Sequence, residues 1–337
     1  MQGVVSSISI PWWIIIVTVP AVLWSIYGYD WIHRLQPYLM VLLGGSLVAA
    51  VIITATSHEA LAKGMGGTHL SSFPTFIAAV GLFFMNLLSW AAYVSDYSRY
   101  LPKNVSGFRT FWAVCMGNVV GALVYGAFGI YITAVAPSTS PVSSVASIAG
   151  KWILPVLAIS LIGSDALNAY TGMLATESVR SSWQKVVASR PARIAGLLAI
   201  FITSTIISIL GYKTFLTSFE NFINILLFFF VPWSVINLVD FYLVKKGKYD
   251  VKSFFTPRGV YGGWRLSALI PYVIGLLVQI PFLDQTAYVG PMVHKLGGAD
   301  ISWIVGWVVS GVAYLISVRI VGSHRAPASE TKEAVNQ

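Results

Sequence analysis

The sequence predicts an all-α integral membrane protein with about nine transmembrane helices, and three observations carry that expectation. Of 337 residues, 56% are hydrophobic and only 10% are charged, whereas soluble domains carry about 25% charged residues. The mean hydropathy is +0.76. The apolar residues are gathered into runs near the ~20 residues a helix needs to cross a bilayer, and the basic residues sit between those runs.

The runs fall at roughly 11–28, 37–55, 73–95, 111–135, 152–176, 194–211, 215–244, 266–284 and 301–320. Between them lie the Pro, Gly, Asn and Lys/Arg residues of loops, as in Pro137-Ser138-Thr139-Ser140-Pro141. Residues 1–321 therefore form one transmembrane region, and the polar stretch 322–337 is expected to be a disordered tail. Of the 21 basic residues, 17 fall at one set of alternate run ends and only Lys63, Lys151, Lys213 and Lys295 at the other. By the positive-inside rule this places the C-terminus in the cytoplasm and Met1 outside, in a multi-pass protein of the plasma (inner) membrane.

The formal charge of +9 does not indicate nucleic acid, because the basic residues punctuate apolar runs instead of clustering in a soluble region. The single cysteine, Cys115, excludes an internal disulfide and a multi-cysteine metal site. The five histidines, His33, His58, His69, His294 and His324, lie in loops without metal-ligand spacing. No phosphate-cradling loop and no nucleophile elbow occur, so neither an ATP-driven pump nor a membrane enzyme has a visible engine. No cofactor or obligate protein partner is expected; the partners are a small-molecule substrate and the bilayer.

The third run opens as an ordinary span and changes halfway. Ser89-Trp90-Ala91-Ala92 places small and polar residues and an indole inside it, and Asp96-Tyr97-Ser98-Arg99-Tyr100-Leu101-Pro102 ends it on a charged aromatic edge. An indole away from the interfacial belt can stack on a flat ring or simply pack in the core. Asp96 and Arg99 fit a local ion pair or gate contact. The fourth run, with Asn118 among Gly117, Gly121, Gly126 and Gly129, fits close helix packing.

The fifth run carries the clearest anomaly, Asp165 near its midpoint, where a charge costs about 2.5–3.5 kcal/mol on insertion scales. Ser160, Ser164, Asn168 and Thr171 recur at helical spacing and form one stripe, which Asp165 borders. Such a stripe can serve as interhelical hydrogen-bond glue, pair with a polar heterocycle, or take up a proton at Asp165. The seventh run begins at Glu220, which either snorkels or reaches a cavity. It is interrupted at Val231-Pro232-Trp233, where a proline frees a carbonyl, and it ends at Asp240, expected at the interface.

Four stretches give the chain a resemblance to the nucleobase:cation symporter-1 family, in particular the bacterial cytosine/purine permeases. They are S-W-A-A-Y-V-S-D-Y-S-R-Y-L-P (89–102), S-D-A-L-N-A-Y-T-G-M-L (164–174), V-P-W-S-V-I-N-L-V-D-F-Y-L-V-K-K-G-K-Y-D (231–250) and L-G-G-A-D-I-S-W-I-V-G (296–306). The resemblance implies a twelve-helix plan of two inverted five-helix repeats and two extra helices, on which the nine runs fall as helices four to twelve. The first three would then be absent, and the 337 residues alone are expected not to transport.

The resemblance also implies a function: secondary active import of a nucleobase or related flat heterocycle, coupled to a cation. It assigns the substrate to Ser89, Trp90 and Ala92 on the sixth family helix and to Ser164 and Asn168 on the eighth. Sodium-using members carry hydroxyls where this chain has Ile162 and Gly163. Proton coupling through Asp165 or Glu220 is therefore the preferred expectation over sodium. Two alternatives stand beside this reading. One is a non-transporting membrane scaffold or sensor; the other is an allantoin, hydantoin or uracil transporter of the same family.

Overall fold

A computed structural model describes residues 9–27, 29–55, 72–92, 94, 101–102, 104–136, 141–183, 189–250, 252–255 and 265–321. Asp96, Arg99, His58, His69, His324 and the tail 322–337 lie outside the described residues. The helices are α1 (Ile10–Tyr27), α2 (Tyr29–Ala55), α3 (Phe73–Ser89), α4 (Gly107–Val135), α5 (Pro141–Ala149), α6 (Ile153–Trp183), α7 (Arg190–Gly211), α8 (Phe215–Val239), α9 (Leu266–Gln279), α10 (Pro291–Lys295) and α11 (Ser302–Val321). Six described helices are long and apolar enough to cross a membrane, and Ile10–Ile26, Phe73–Ser89 and Leu266–Phe282 are shorter apolar helices. A two-stranded antiparallel hairpin, β1 (Asp284–Gln285) with β2 (Tyr288–Val289), is the one sheet among the described residues.

Two elements depart from the sequence expectation. The loop written around Pro137–Pro141 leads into a helix, α5, which buries Ser144, Val145 and Ala149. It ends at Gly150, whose φ of +86° is a left-handed conformation that glycine adopts without penalty. The third run is not one α-helix: α3 stops at Ser89, and a 3₁₀ turn, Trp90–Ala92, follows.

The chain forms two compact units. The first holds α1, α2 and α4 to α7. Here α6 packs on α1, α2, α5 and α7, and Ala21, Ala169, Met173, Leu197 and Phe201 form a core. Small residues let the backbones approach, as expected within a membrane. Ser25 Oγ donates to Ala21 O in its own helix (2.8 Å) and lies 3.0 Å from Ala166 O of α6. A second core joins Ala50, Ile132, Val145, Ala149 and Ile153.

The second unit holds α3 and α8 to α11. Pro232, fully buried in α8, has no N–H to give to the carbonyl of Phe228 one turn earlier. Gln279, at 0% exposure on α9, supplies the missing donor: its Nε2 lies 3.1 Å from Phe228 O and 2.9 Å from Gly275 O. Two glycines make room for this arrangement. A Cβ on Gly275 would approach Pro232 Cβ to 3.0 Å, and one on Gly306 of α11 would meet Gln279 Cδ at 2.5 Å.

At the far end of α8 the chain makes a π-helical turn, Asp240–Val244. Asp240, near the end of the span as its place in the run implies, is buried within the protein. Its Oδ1 accepts from Tyr314 Oη (2.5 Å) and its Oδ2 from Tyr249 Oη (2.7 Å), while the Arg265 guanidinium lies 3.4 Å from Oδ1. A carboxylate with this many donors can leave water, which position along the chain alone does not reveal. Asp300, in the fourth of the family-like stretches, accepts the N–H of Asp284 and of Ser302, both at 2.9 Å, and so ties the hairpin to the start of α11.

Candidate functional site

The fifth apolar run folds into α6, and the membrane-spanning part of that helix is Ile153–Arg180. One face is committed to packing: Ala166, Leu167, Ala169 and Met173 are buried. The opposite face carries Ser164, Asp165 and Asn168, all exposed, near the middle of the span. None of these three side chains hydrogen-bonds another described residue. The other two members of the expected stripe are spent locally. Ser160 Oγ donates to Val156 O at 2.9 Å, and Thr171 Oγ1, buried, lies 3.0 Å from Asn168 O. The uncommitted set is thus narrower than the periodicity implied, and Asp165 belongs to it instead of bordering it.

On the same helix Gly163 faces inward. A Cβ there would lie 2.7 Å from Leu39 Cδ1 and 3.5 Å from the Trp24 ring, so a hydroxyl side chain would displace Leu39. Ile162 packs against the α1–α6–α7 core. Apolar contacts therefore occupy both positions.

In the second unit, Ser89 Oγ donates to Asn86 O at 2.7 Å, and the Trp90 N–H turns back to the carbonyls of Leu87 and Leu88. A hydroxyl competing for helix carbonyls at a C-terminus promotes such a stop. Trp90, half-buried, opens the 3₁₀ turn that Ala92 closes. Glu220 is exposed in the second turn of α8, next to Asn221, whose Oδ1 accepts from Thr286 Oγ1 at 2.7 Å. The structure therefore brings Ser164, Asp165 and Asn168 onto one face and Ser89 and Trp90 onto one turn; these two sets belong to different units.

This combination of apolar helices, a helix broken inside an apolar run and a polar face at mid-span is accompanied by sequence kinship over most of the chain. Residues 4–306 match the family model described as permease for cytosine/purines, uracil, thiamine, allantoin. The chain belongs to this permease family. It is therefore a membrane transporter by family, not an enzyme.

Among its relatives, the Bacillus subtilis (strain 168) protein YxlA, named as a purine-cytosine permease, is 32% identical over 313 residues, covering 91% of this chain and 68% of YxlA. The purine-cytosine permease fcyB of Emericella nidulans is 25% identical over 325 residues, covering 90% of this chain and 62% of fcyB. Two solved structures of Mhp1, a nucleobase-cation-symport-1 family transporter, share the fold. The inward-facing form has a TM-score of 0.63 at 16% identity, covering 95% of this permease and 68% of that chain. The closed form with bromovinylhydantoin bound has a TM-score of 0.65 at 16% identity, covering 97% and 71%.

Proposed function

We propose that this permease takes part in secondary active import of a nucleobase or related flat heterocycle, with the proton as the coupling ion. The observation that carries the reading is the exposed, uncommitted Ser164–Asp165–Asn168 face in the middle of α6. Polar groups at membrane depth are expensive unless they face protein or a water-filled path, so three of them left without partners await a polar ligand. In this reading the Asn168 amide and the Ser164 hydroxyl pair with the amide-like edge of the base. The family resemblance also assigns Ser89, Trp90 and Ala92 to the substrate, and an indole face suits a flat ring. Cytosine, purines, uracil, allantoin and hydantoins share that chemistry. The kinship with purine-cytosine permeases favours cytosine or a purine.

Sodium is disfavoured because the two α6 positions that would carry hydroxyls are Ile162 and Gly163, both closed by apolar contacts. Asp165 and Glu220 are the candidates for the proton. On the twelve-helix plan the nine apolar helices take positions four to twelve, with the C-terminus cytoplasmic.

Equilibrium binding of labelled cytosine and hypoxanthine to the purified chain in lipid nanodiscs tests the site. Asn168→Ala and Trp90→Ala should each weaken binding at least tenfold, with unchanged yield in the membrane. Full binding by both variants would overturn the assignment.

A further inference from the structure

We propose that the turn Lys245–Lys248, together with the aromatic stack it rests on, binds the phosphate of an anionic phospholipid headgroup in the bilayer the chain spans. The inference depends on the membrane-spanning character of the permease and on no substrate assignment.

The membrane-spanning part of α8 and its π turn is Thr217–Val244, so Lys245, Lys246 and Lys248 fall within four residues of its end. The turn has a fixed shape. Lys245 N–H bonds to Asp240 O at 2.7 Å, Gly247 N–H to Phe241 O at 2.9 Å and Lys248 N–H to Lys245 O at 3.0 Å. Lys246 is held at φ +51° and Gly247 at φ +72°. Left-handed backbone is uncommon at a lysine, and the turn holds Lys246 in it. Lys246 and Lys248 are both exposed, and neither has an ion-pair partner among the described residues.

The nearby acid cannot serve them, since both oxygens of Asp240 are occupied by Tyr314, Tyr249 and Arg265. Burial first, and then the Arg265 guanidinium, hold the pKa of Lys245 below its usual value against the pull of Asp240, so the positive charge the turn offers is chiefly that of Lys246 and Lys248. Beneath the turn the Phe241 and Tyr249 rings stack at 5.9 Å, and Tyr249 meets Phe254 at 6.0 Å. Phe241, Tyr242 and Phe254 remain exposed at 44%, 61% and 55%. Exposed rings at a span end mark headgroup depth, and a lysine at that depth favours an anionic surface by about fivefold. Aromatic rings at headgroup level beside unpaired ammoniums suit a diacyl lipid phosphate better than a free anion, which has no use for the rings.

The test reconstitutes the full chain in bilayers of equal phosphatidylglycerol and phosphatidylcholine and reads the association of spin-labelled lipids by electron paramagnetic resonance. Wild type should prefer phosphatidylglycerol severalfold, and the pair Lys246→Asn and Lys248→Gln should abolish most of that preference. The pair Lys246→Arg and Lys248→Arg should restore it. The charge-matched pair Lys213→Gln and Lys295→Gln, at the opposite helix ends, should leave it intact. The proposal fails if the first pair keeps the preference or the arginine pair does not restore it. It fails equally if the matched pair lowers the preference as much, or if inorganic phosphate at headgroup concentration displaces the lipid.

Discussion

Two side chains show how a single residue can decide local structure at membrane depth. Asp240 takes bonds from two phenols and a guanidinium, and hydrogen bonds to a charged group are worth about 1.5–3 kcal/mol. Asp240→Leu leaves Tyr314, Tyr249 and Arg265 without their acceptor, and leaving a buried donor unsatisfied costs about 1–3 kcal/mol. Tyr314→Phe should cost about 2 kcal/mol, and should cost almost nothing in the Asp240→Leu background. Thermal unfolding of the purified variants in detergent checks both, and equal losses in the two backgrounds would dissociate Tyr314 from Asp240. The sequence placed Asp240 at a membrane edge because its position along the run is visible. Its partners stand 9, 25 and 74 residues away, and no local pattern announces them. Trp90, Ser164 and Asn168 were legible for the opposite reason: each is a residue type out of place within an apolar run.

Among the elements, α8 carries the clearest coupling. A proline inside a helix costs about 3 kcal/mol, partly through the carbonyl it strands. Gln279 recovers that carbonyl from the neighbouring helix. Gln279→Leu should therefore destabilise the protein by about 1–3 kcal/mol, the cost of an unsatisfied buried acceptor. Pro232→Ala returns an N–H to Phe228 and should suppress most of that loss. Additive effects in the double-mutant cycle would show the two to be independent. The sequence showed that Pro232 must strand a carbonyl but could not say which residue answers it. Helix limits were readable where a lipid-exposed helix displays its apolar length, but the polar first turns of α2, from Tyr29, and the polar last turns of α6, to Trp183, lie outside the apolar runs. The short α5 was not readable, because three serines in nine residues leave no such run. The change of residue type at Ser89–Ala92 was visible, but nothing in it said that the α-helix stops at Ser89 and a 3₁₀ turn follows.

For the molecule as a whole, the coupling ion is the property most open to measurement. Binding of labelled nucleobase should be indifferent to replacing sodium with choline. It should respond to pH, and Asp165→Asn should flatten that response while Glu220→Gln tests the other candidate. A sodium requirement would overturn the reading built on Ile162 and Gly163. At this scale composition was decisive: 10% charged residues leave too few to clothe a water-soluble surface. What composition could not convey is how sparing the polar groups at mid-span are, with three side chains on α6 uncommitted and their neighbours Ser160 and Thr171 folded back on the helix backbone.

The Asp240 cluster also has a direction in time. All three of its partners, Tyr249, Arg265 and Tyr314, come later in the chain than the carboxylate they satisfy. During synthesis Asp240 therefore gains Tyr249 first and Arg265 next, and its set of partners is complete only when Tyr314 of α11 has been made. A chain stopped at Val312 should enter the membrane and yet be cleared faster than the full chain. Pulse-chase labelling of the stopped chain, with Tyr314→Phe in the full chain as the milder comparison, would read that order of assembly directly.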